Sequence, residues 1–387
     1  MWAILQSRDR LISRLRATRD ALSVQTEAKE TEIQNLAGHV RRLAMNVKEV
    51  EIKSLAELQG KERVIAGLAE RIRVFEKQRL PPKAWRKLQT GYMQFVSKTP
   101  YRLGVLKQYA PRPLQFEPPP PATAVPLPGF CILTPSFGQG RFIETTLRSV
   151  LDQGYPKLRY GVQDGGSKDE TPDILQKYSS RMAYADSRPD KGQADAINFG
   201  FKHMEPRDDE IMAWLNSDDL LPPGTLHYVG EYFARHPEVD AVYGHRIIID
   251  EKDREIGRWF LPHHDDKTLK YADYVPQETL FWRASAYNKI NGLDPTFQFA
   301  MDWDFLLRLE AAKCTIVRLP RFLGCFRVHE AQKTSSSIHD MGALEMRILR
   351  TRFHGRDLSQ AELSPHVLRE VFRSACVCHL WQLGLRY

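Results

Sequence analysis

Cysteine is scarce. The chain has five in 387 residues (Cys131, Cys314, Cys325, Cys376 and Cys378), too few and too scattered for a disulfide framework. Only Cys376 and Cys378 are close, and their spacing of two matches no standard zinc pair. They read as the reduced thiols of a cytosolic protein. No window holds the 18 or so apolar residues that span a bilayer. The opening MWAILQSRDRLISRLR lacks the apolar core and small-residue cleavage site of a signal peptide. The expected location is the cytoplasm, or its membrane face as a peripheral protein. A basic excess is missing from residues 129–387, which carry 33 basic and 36 acidic side chains, whereas residues 1–128 carry 23 and 12. A nucleic-acid-binding catalytic domain has the opposite balance, so nucleic acid is not an expected partner. What remains is ordinary globular composition, 42% apolar and 27% charged, with length for two or three domains.

The first 80 residues contain no proline and three glycines. Apolar residues recur there at seven-residue steps: Ile33, Val40 and Val47 form one row, and Leu36, Leu43 and Val50 the other. Leu58, Ile65 and Ile72 follow after a four-residue stutter. Such a stripe on an otherwise polar helix predicts a coiled coil and a homo-oligomer. A single long helix folded back on its own domain is the alternative. Pro81-Pro82 ends the pattern. Residues 83–109 place Trp85, Leu88, Tyr92 and Phe95 on one helix face among basic residues. That face suits either an anionic membrane or packing on the next domain. Eleven of the 24 prolines fall in residues 81–128, which reads as a semi-rigid spacer. The expected division is therefore a coiled-coil helix over 1–80 and a basic aromatic helix with Pro-rich linker over 81–128. A catalytic domain follows over 129–336, and a helical segment over 337–387.

From Phe130 the pattern alternates between short apolar runs and helical spacing. Phe130–Thr134, Tyr160–Gln163 and Ile211–Leu215 read as strands, with helices between them and after the last. This predicts an α/β fold on a mostly parallel, doubly wound sheet. Ligands in such sheets sit beyond the carboxyl ends of the strands. The loops there are polar: Thr134-Pro-Ser-Phe-Gly, Gln163-Asp-Gly-Gly-Ser, Asp190-Lys-Gly-Gln and Asn216-Ser-Asp-Asp. Each alone reads equally well as a turn or cap. Their order, at successive strand ends, points to one crevice. Asp218 and Asp219 are adjacent carboxylates at a strand end, where a hard divalent cation, Mg²⁺ or Mn²⁺, relieves their repulsion with help from substrate phosphates. Asp302 and Asp304 open a helix, as caps or with a carboxylate as general base. His329 is open to three readings: metal ligand, phosphate donor or surface residue.

Together the stretches TPSFGQGRFIETTLRSVLDQGYP, VQDGGSKDET, DKGQADAINFG, WLNSDD, PQETLFWR, MDWDFLLR and FRVHEAQKT resemble the inverting family 2 glycosyltransferases of the GT-A fold, nearest the bacterial branch that builds cell-surface polysaccharides. The resemblance spans roughly Gly129 to Ser336. It implies transfer of a sugar from a nucleotide-sugar donor, a UDP-sugar foremost, to a hydroxyl of a glycan or lipid-linked acceptor. Thr134, Ser136, Lys191, Gly192, Gln193 and Asn198 would hold the donor, and Asp164 would read a pyrimidine edge. Asn216 stands where the family's Asp-x-Asp motif has its first Asp, near the ribose. Asp218 would be the main metal ligand, with Asp219 and His329 beside it. Asp302 would be the catalytic base, with Asp304 shaping the site. Gln277 and Trp282 would touch acceptor or sugar. Two other functions remain in view. A sugar-1-phosphate nucleotidyltransferase needs a longer Gly-rich loop with Lys after the first strand, where this chain has only Gly138-Gln-Gly-Arg141. A non-catalytic coiled-coil scaffold with a nucleotide-sugar sensor would not require Asp218, Asp302 and His329 to be intact.

Overall fold

The computed structural model describes residues 104–118, 125–330, 332, 341–382 and 384. The chain divides into two units, 1–95 with 382–385 and 96–381 with 386–387, and nearly all described residues belong to the second. The expected coiled coil over 1–80 and the aromatic face Trp85–Phe95 lie outside the described residues.

Continuous apolar runs become the buried strands. In β1 (Phe130–Ser136) all seven residues are buried. Its neighbours are β2 (Leu158–Asp164) and β4 (Ile211–Trp214), both parallel to it, and β3 (Tyr184–Ser187) extends the parallel half beyond β2. Three amphipathic helices join these strands: α1 (Gly140–Leu151), α2 (Thr171–Tyr178) and α3 (Gln193–Met204). Gly200 lets α3 lie directly on the sheet, since a Cβ there would stand 2.6 Å from the Leu133 side chain. After α4 (Thr225–Arg235) come the long β5 (Ala241–Ile249) and β6 (Glu255–Trp259). A short α5 (Asp266–Leu269), β7 (Phe281–Arg283), α6 (Ala284–Lys289), α7 (Met301–Ala311) and β8 (Ile316–Arg327) complete the sheet. The order is β3-β2-β1-β4-β7-β5-β6, with β8 also paired to β5. β8 runs parallel to β5, while β7 is antiparallel to β4 and β5, and β6 to β5. The mostly parallel α/β sheet expected from the sequence is present, with its antiparallel pairings confined to the second half.

Two helices follow, α8 (Ala343–His354) and α9 (Gln360–Gln382). α9 places Val377 and Cys378 in an apolar cluster with Leu220, Ile247, Phe260 and Phe322, against which Leu114 and Trp381 pack. Two turns earlier on α9 lies Glu370, 2% exposed. Its Oε2 accepts from Arg373 Nη1 at 3.1 Å, and its Oε1 has no hydrogen-bond partner. Burial, foremost, lifts its carboxyl to about 7, against the pull of Arg373. The five cysteines are free thiols.

The stretch expected to be linker is partly docked. Gln108 and Tyr109 donate their N–H groups to the Ile256 carbonyl, and Arg112 forms an antiparallel bridge with Glu255 on β6. The Glu255 side chain is fully buried. It accepts from Tyr109 Oη, from Arg112 Nη2 at 2.6 Å and from Arg258 Nε at 2.7 Å. Burial opposes its ionisation, but these partners outweigh burial and hold its carboxyl below the usual range. Residues 104–118 are thus a strap on the β6 edge. A sequence rich in proline cannot continue a sheet, yet it can pair at an edge through one residue such as Arg112.

Candidate functional site

The register of the parallel strands brings the polar loops together. Ser136 on β1 faces Asp164 on β2, which faces Ser187 on β3, and Leu133 pairs with Trp214 just ahead of Asn216-Ser-Asp-Asp. The first loop then turns at Gly138, φ +64°, whose N–H bonds Ser167 Oγ at 2.7 Å. That turn leaves Phe137 71% exposed just past the carboxyl end of β1.

Asp218 and His329 meet at the end of β4 and β8. Asp218 Oδ2 lies 2.9 Å from His329 Nε2. The imidazole is 3% exposed and the carboxylate 20%. Phe142 packs its ring 4.9 Å from that of His329. Arg327 fixes the pair from behind: its Nε donates to the Asp218 carbonyl at 2.7 Å and its N–H to Asp219 Oδ1 at 3.0 Å. Thr146 Oγ1 lies 2.9 and 2.8 Å from the carbonyls of Ser217 and Asp219, which pins the loop to α1. Asp219 itself turns inward. It is 1% exposed and is held by Arg327 and, at 3.5 Å, by Asn216 Nδ2. Burial first, then the charges of Asp218 and Glu278, raise its carboxyl well above the usual range. The three expected metal ligands therefore do not converge. Among the described residues no group of three or more His, Cys, Asp or Glu is gathered for a metal ion. The carboxylate–imidazole pair Asp218 and His329 fits a divalent cation that draws its remaining ligands from a diphosphate and water. A depression of about 520 Å³, lined by Asp250, Lys252, Val328 and His329 among others, opens beside this pair.

On the donor side, Gln193 Nε2 donates to Asn216 Oδ1 at 2.7 Å, which joins the start of α3 to the end of β4. Gly192 has φ +119°, a backbone conformation that favours glycine, and a Cβ there would stand 2.5 Å from Gln298 Oε1. Lys191 is exposed. Ser136 is 5% exposed and its hydroxyl has no hydrogen-bond partner. Three expected donor contacts face the protein instead. Thr134 is fully buried with its hydroxyl 2.7 Å from Tyr160 Oη. Asp164 is fully buried: its Oδ2 accepts from Gly166 N, Ser167 N and Ser187 Oγ, and its Oδ1 from Ser167 Oγ. A carboxylate held by four donors and wholly buried closes its own loop and presents no surface to the crevice. Asn198 accepts from Tyr287 Oη and Leu293 N and donates to the Leu293 carbonyl, so it clamps α3 to the segment after α6.

On the acceptor side, Asp302 is partly buried in the first turn of α7, and its Oδ1 accepts from Trp303 N at 2.9 Å. Asp304 does not line the crevice. It is fully buried between Arg308 Nε at 2.7 Å and Arg352 Nη1 at 3.1 Å. Burial outweighs these cations and raises its carboxyl. Trp282 is likewise fully buried, with ring centroids 5.2 Å from Trp214 and 4.9 Å from Phe305, so it is core and no acceptor contact. Gln277, 7% exposed, uses its Nε2 to cap the Trp214 carbonyl at 2.8 Å.

Four residues escape sequence reasoning. Phe137 stands inside a quoted motif, and its signal is an aromatic between serine and glycine in a strand-end loop. Arg246 and Glu278 form a buried bidentate pair at 2.6 and 2.7 Å, from β5 and the turn before β7. Nothing local announces a pair 32 positions apart. Asp273 is exposed. The protein packed around it first, and the Asp302 charge second, raise its carboxyl above the usual range, while Arg246 opposes them.

Residues 131–301 match the sequence model of Glycosyl transferase family 2. An uncharacterised glycosyltransferase of Mycobacterium tuberculosis is 29% identical over 248 residues, covering 61% of this chain and 90% of the relative. A PGL/p-HBAD biosynthesis glycosyltransferase of Mycobacterium bovis is 25% identical over 197 residues, covering 49% of this chain and 73% of the relative. Solved structures with a similar course include S. aureus TarS in complex with UDP-GlcNAc, at 17% identity and TM-score 0.47, covering 65% of this chain and 73% of TarS. A mannosyltransferase from Pyrobaculum calidifontis in complex with GDP-Man and Mn²⁺ also has 17% identity and TM-score 0.47, covering 76% of this chain and 79% of that one. Among the described residues no helix is long and apolar enough to cross a membrane. The stretch from Cys131 through the start of α7, which carries most of the sheet, is thus the part of the chain that matches Glycosyl transferase family 2.

Proposed function

We propose that the chain transfers a sugar from a nucleoside diphosphate sugar to a hydroxyl of a glycan or lipid-linked acceptor, with inversion and with Mn²⁺ or Mg²⁺. The observation that carries the reading is the Asp218–His329 pair, 2.9 Å apart and backed by Arg327 at the end of β4, with Phe137 exposed at the end of the neighbouring strand β1. A divalent cation held there with the diphosphate would neutralise the leaving group's charge. Asp218 and His329 hold that end of the donor, and Arg327 keeps both in register. Phe137 offers a face on which a nucleobase stacks, and stacking accepts any base. Because Asp164 is spent on its own loop, the donor is proposed as a nucleoside diphosphate sugar, with UDP and GDP to be compared directly. Asp302 takes the proton from the acceptor hydroxyl as it attacks the anomeric carbon, a step typically worth about 10²–10⁴-fold.

The test uses the full chain and a panel of UDP-glucose, UDP-galactose, UDP-GlcNAc and GDP-mannose. Hydrolysis of at least one, lost in excess chelator and restored by Mn²⁺, is the expected result. Asp302→Asn should bind the nucleotide as the wild type does and lose turnover. Release of pyrophosphate from a nucleoside triphosphate and a sugar phosphate would instead identify a nucleotidyltransferase.

A further inference from the structure

The segment that carries Asp302 is gripped from outside the stretch that matches family 2. Ahead of α7, three successive backbone N–H groups converge on one carboxylate from α8. Gln298 N donates to Glu345 Oε1, and Phe299 N and Ala300 N donate to Glu345 Oε2, each at 2.8 Å. Glu345 is 7% exposed. Beside it the chain packs tightly, for a Cβ on Gly342 would stand 2.9 Å from the Phe299 ring. Farther along α8, Arg350 sets its guanidinium 5.4 Å over the Trp303 ring and donates to the Tyr271 carbonyl at 3.0 Å. Arg352 reaches Asp304 Oδ1 at 3.1 Å. The residues immediately before and after Met301-Asp302 are therefore tied to one helix.

We propose that Glu345 is a positioning residue for Asp302, and that α8 serves the reaction by fixing the start of α7. This rests on Asp302 being the base. A carboxylate is the group the site calls for. It offers acceptors on both ends, and its bonds to N–H groups are charge-assisted and short. A carboxamide presents an oxygen on one side and N–H donors on the other, so at least one of the three backbone donors would lose its partner. The chain would then be free to shift ahead of the base. A displacement of about 1 Å at a reacting group costs on the order of 10²-fold in rate.

The experiment compares wild type, Glu345→Gln, Asp302→Asn and the double variant as full chains. Hydrolysis is followed on whichever nucleotide sugar of the panel is turned over, and UDP and GDP binding by calorimetry reports on the fold. Glu345→Gln should lower kcat by roughly 10–100-fold and leave donor KM and nucleotide affinity within threefold of wild type. In the Asp302→Asn background the same change should have no further effect on the residual rate, because Glu345 acts through Asp302. Glu345→Asp retains the charge with a shorter reach and should fall between wild type and Glu345→Gln, which keeps the test available if the glutamine variant folds poorly. A wild-type kcat in Glu345→Gln overturns the proposal. So does a loss that multiplies with Asp302→Asn, or one that appears in donor KM. Asp302→Asn at wild-type rate would overturn the base itself and this inference with it, an outcome distinct from failure of Glu345 alone.

Discussion

Glu370 on α9 should set a pH limit on stability. Its carboxyl has an ordinary value of 4.5 and stands at about 7 in the folded chain, chiefly through burial. The folded state therefore binds this proton more tightly than the unfolded chain. Stability from this group is full below about 4.5 and is lost as pH rises through about 7. Over that window the loss amounts to about 3 kcal/mol, and the attraction of Arg373 is already included. The group is 2% exposed, so solvent screening does not reduce the figure much. Glu370→Gln resembles the protonated side chain at every pH. At pH 8 the variant should be more stable than wild type by about 1–3 kcal/mol, a rise of several degrees in Tm for a domain of this size. At pH 5 the two should agree within about 1 kcal/mol. Urea titrations of both proteins at pH 5, 6.5 and 8 measure the difference. Other raised carboxyls, Asp219 and Asp273 among them, bend both curves alike and cancel in the comparison. Parallel curves for the two proteins, or a variant weaker than wild type at pH 8, would refute the reasoning.

Asp218→Ala should abolish divalent-dependent hydrolysis, and full turnover by this variant would remove the metal from the proposal. Phe137→Ala should weaken UDP and GDP alike by about 1–3 kcal/mol, as loss of one stacking face does, read by calorimetry. An unchanged affinity would show that the exposed ring does not meet the base. The full chain should be an oligomer through residues 1–80, and a chain beginning at residue 104 a monomer that still binds nucleotide, both read by light scattering and calorimetry. A full-length monomer at micromolar concentration would count against the heptad reading.

The parallel half of the sheet was legible because its strands are continuous apolar runs and its helices keep one apolar stripe. Phe130–Thr134 and Ile211–Leu215 foretold β1 and β4 within two residues. β3 was not legible, since its four residues alternate in burial at a sheet edge and carry little apolar signal. In the site, the loops could be read and the directions of their side chains could not. Asp164, Asn198, Trp282 and Asp304 stand in the stretches that form the site, but each faces protein. The partner that turns it is often remote in sequence: Asn198 is held by Leu293, and Asp304 by Arg352. Linear spacing reports which loop a side chain belongs to. Its rotation is decided by groups that arrive only when the fold closes.

The strap has a consequence for how such chains can be recombined. Tyr109 and Arg112 supply two of the partners that make the buried Glu255 tolerable. A crossover at Gly129, where the first strand begins, would splice a foreign sequence onto the sheet and leave that carboxylate with Arg258 alone. A crossover before residue 104 carries the strap along with its acid. The inheritable module is therefore longer than the stretch that matches the family. Any new N-terminal segment, whatever its purpose, would have to be joined upstream of Tyr109 or bring its own hydroxyl and guanidinium to the β6 edge.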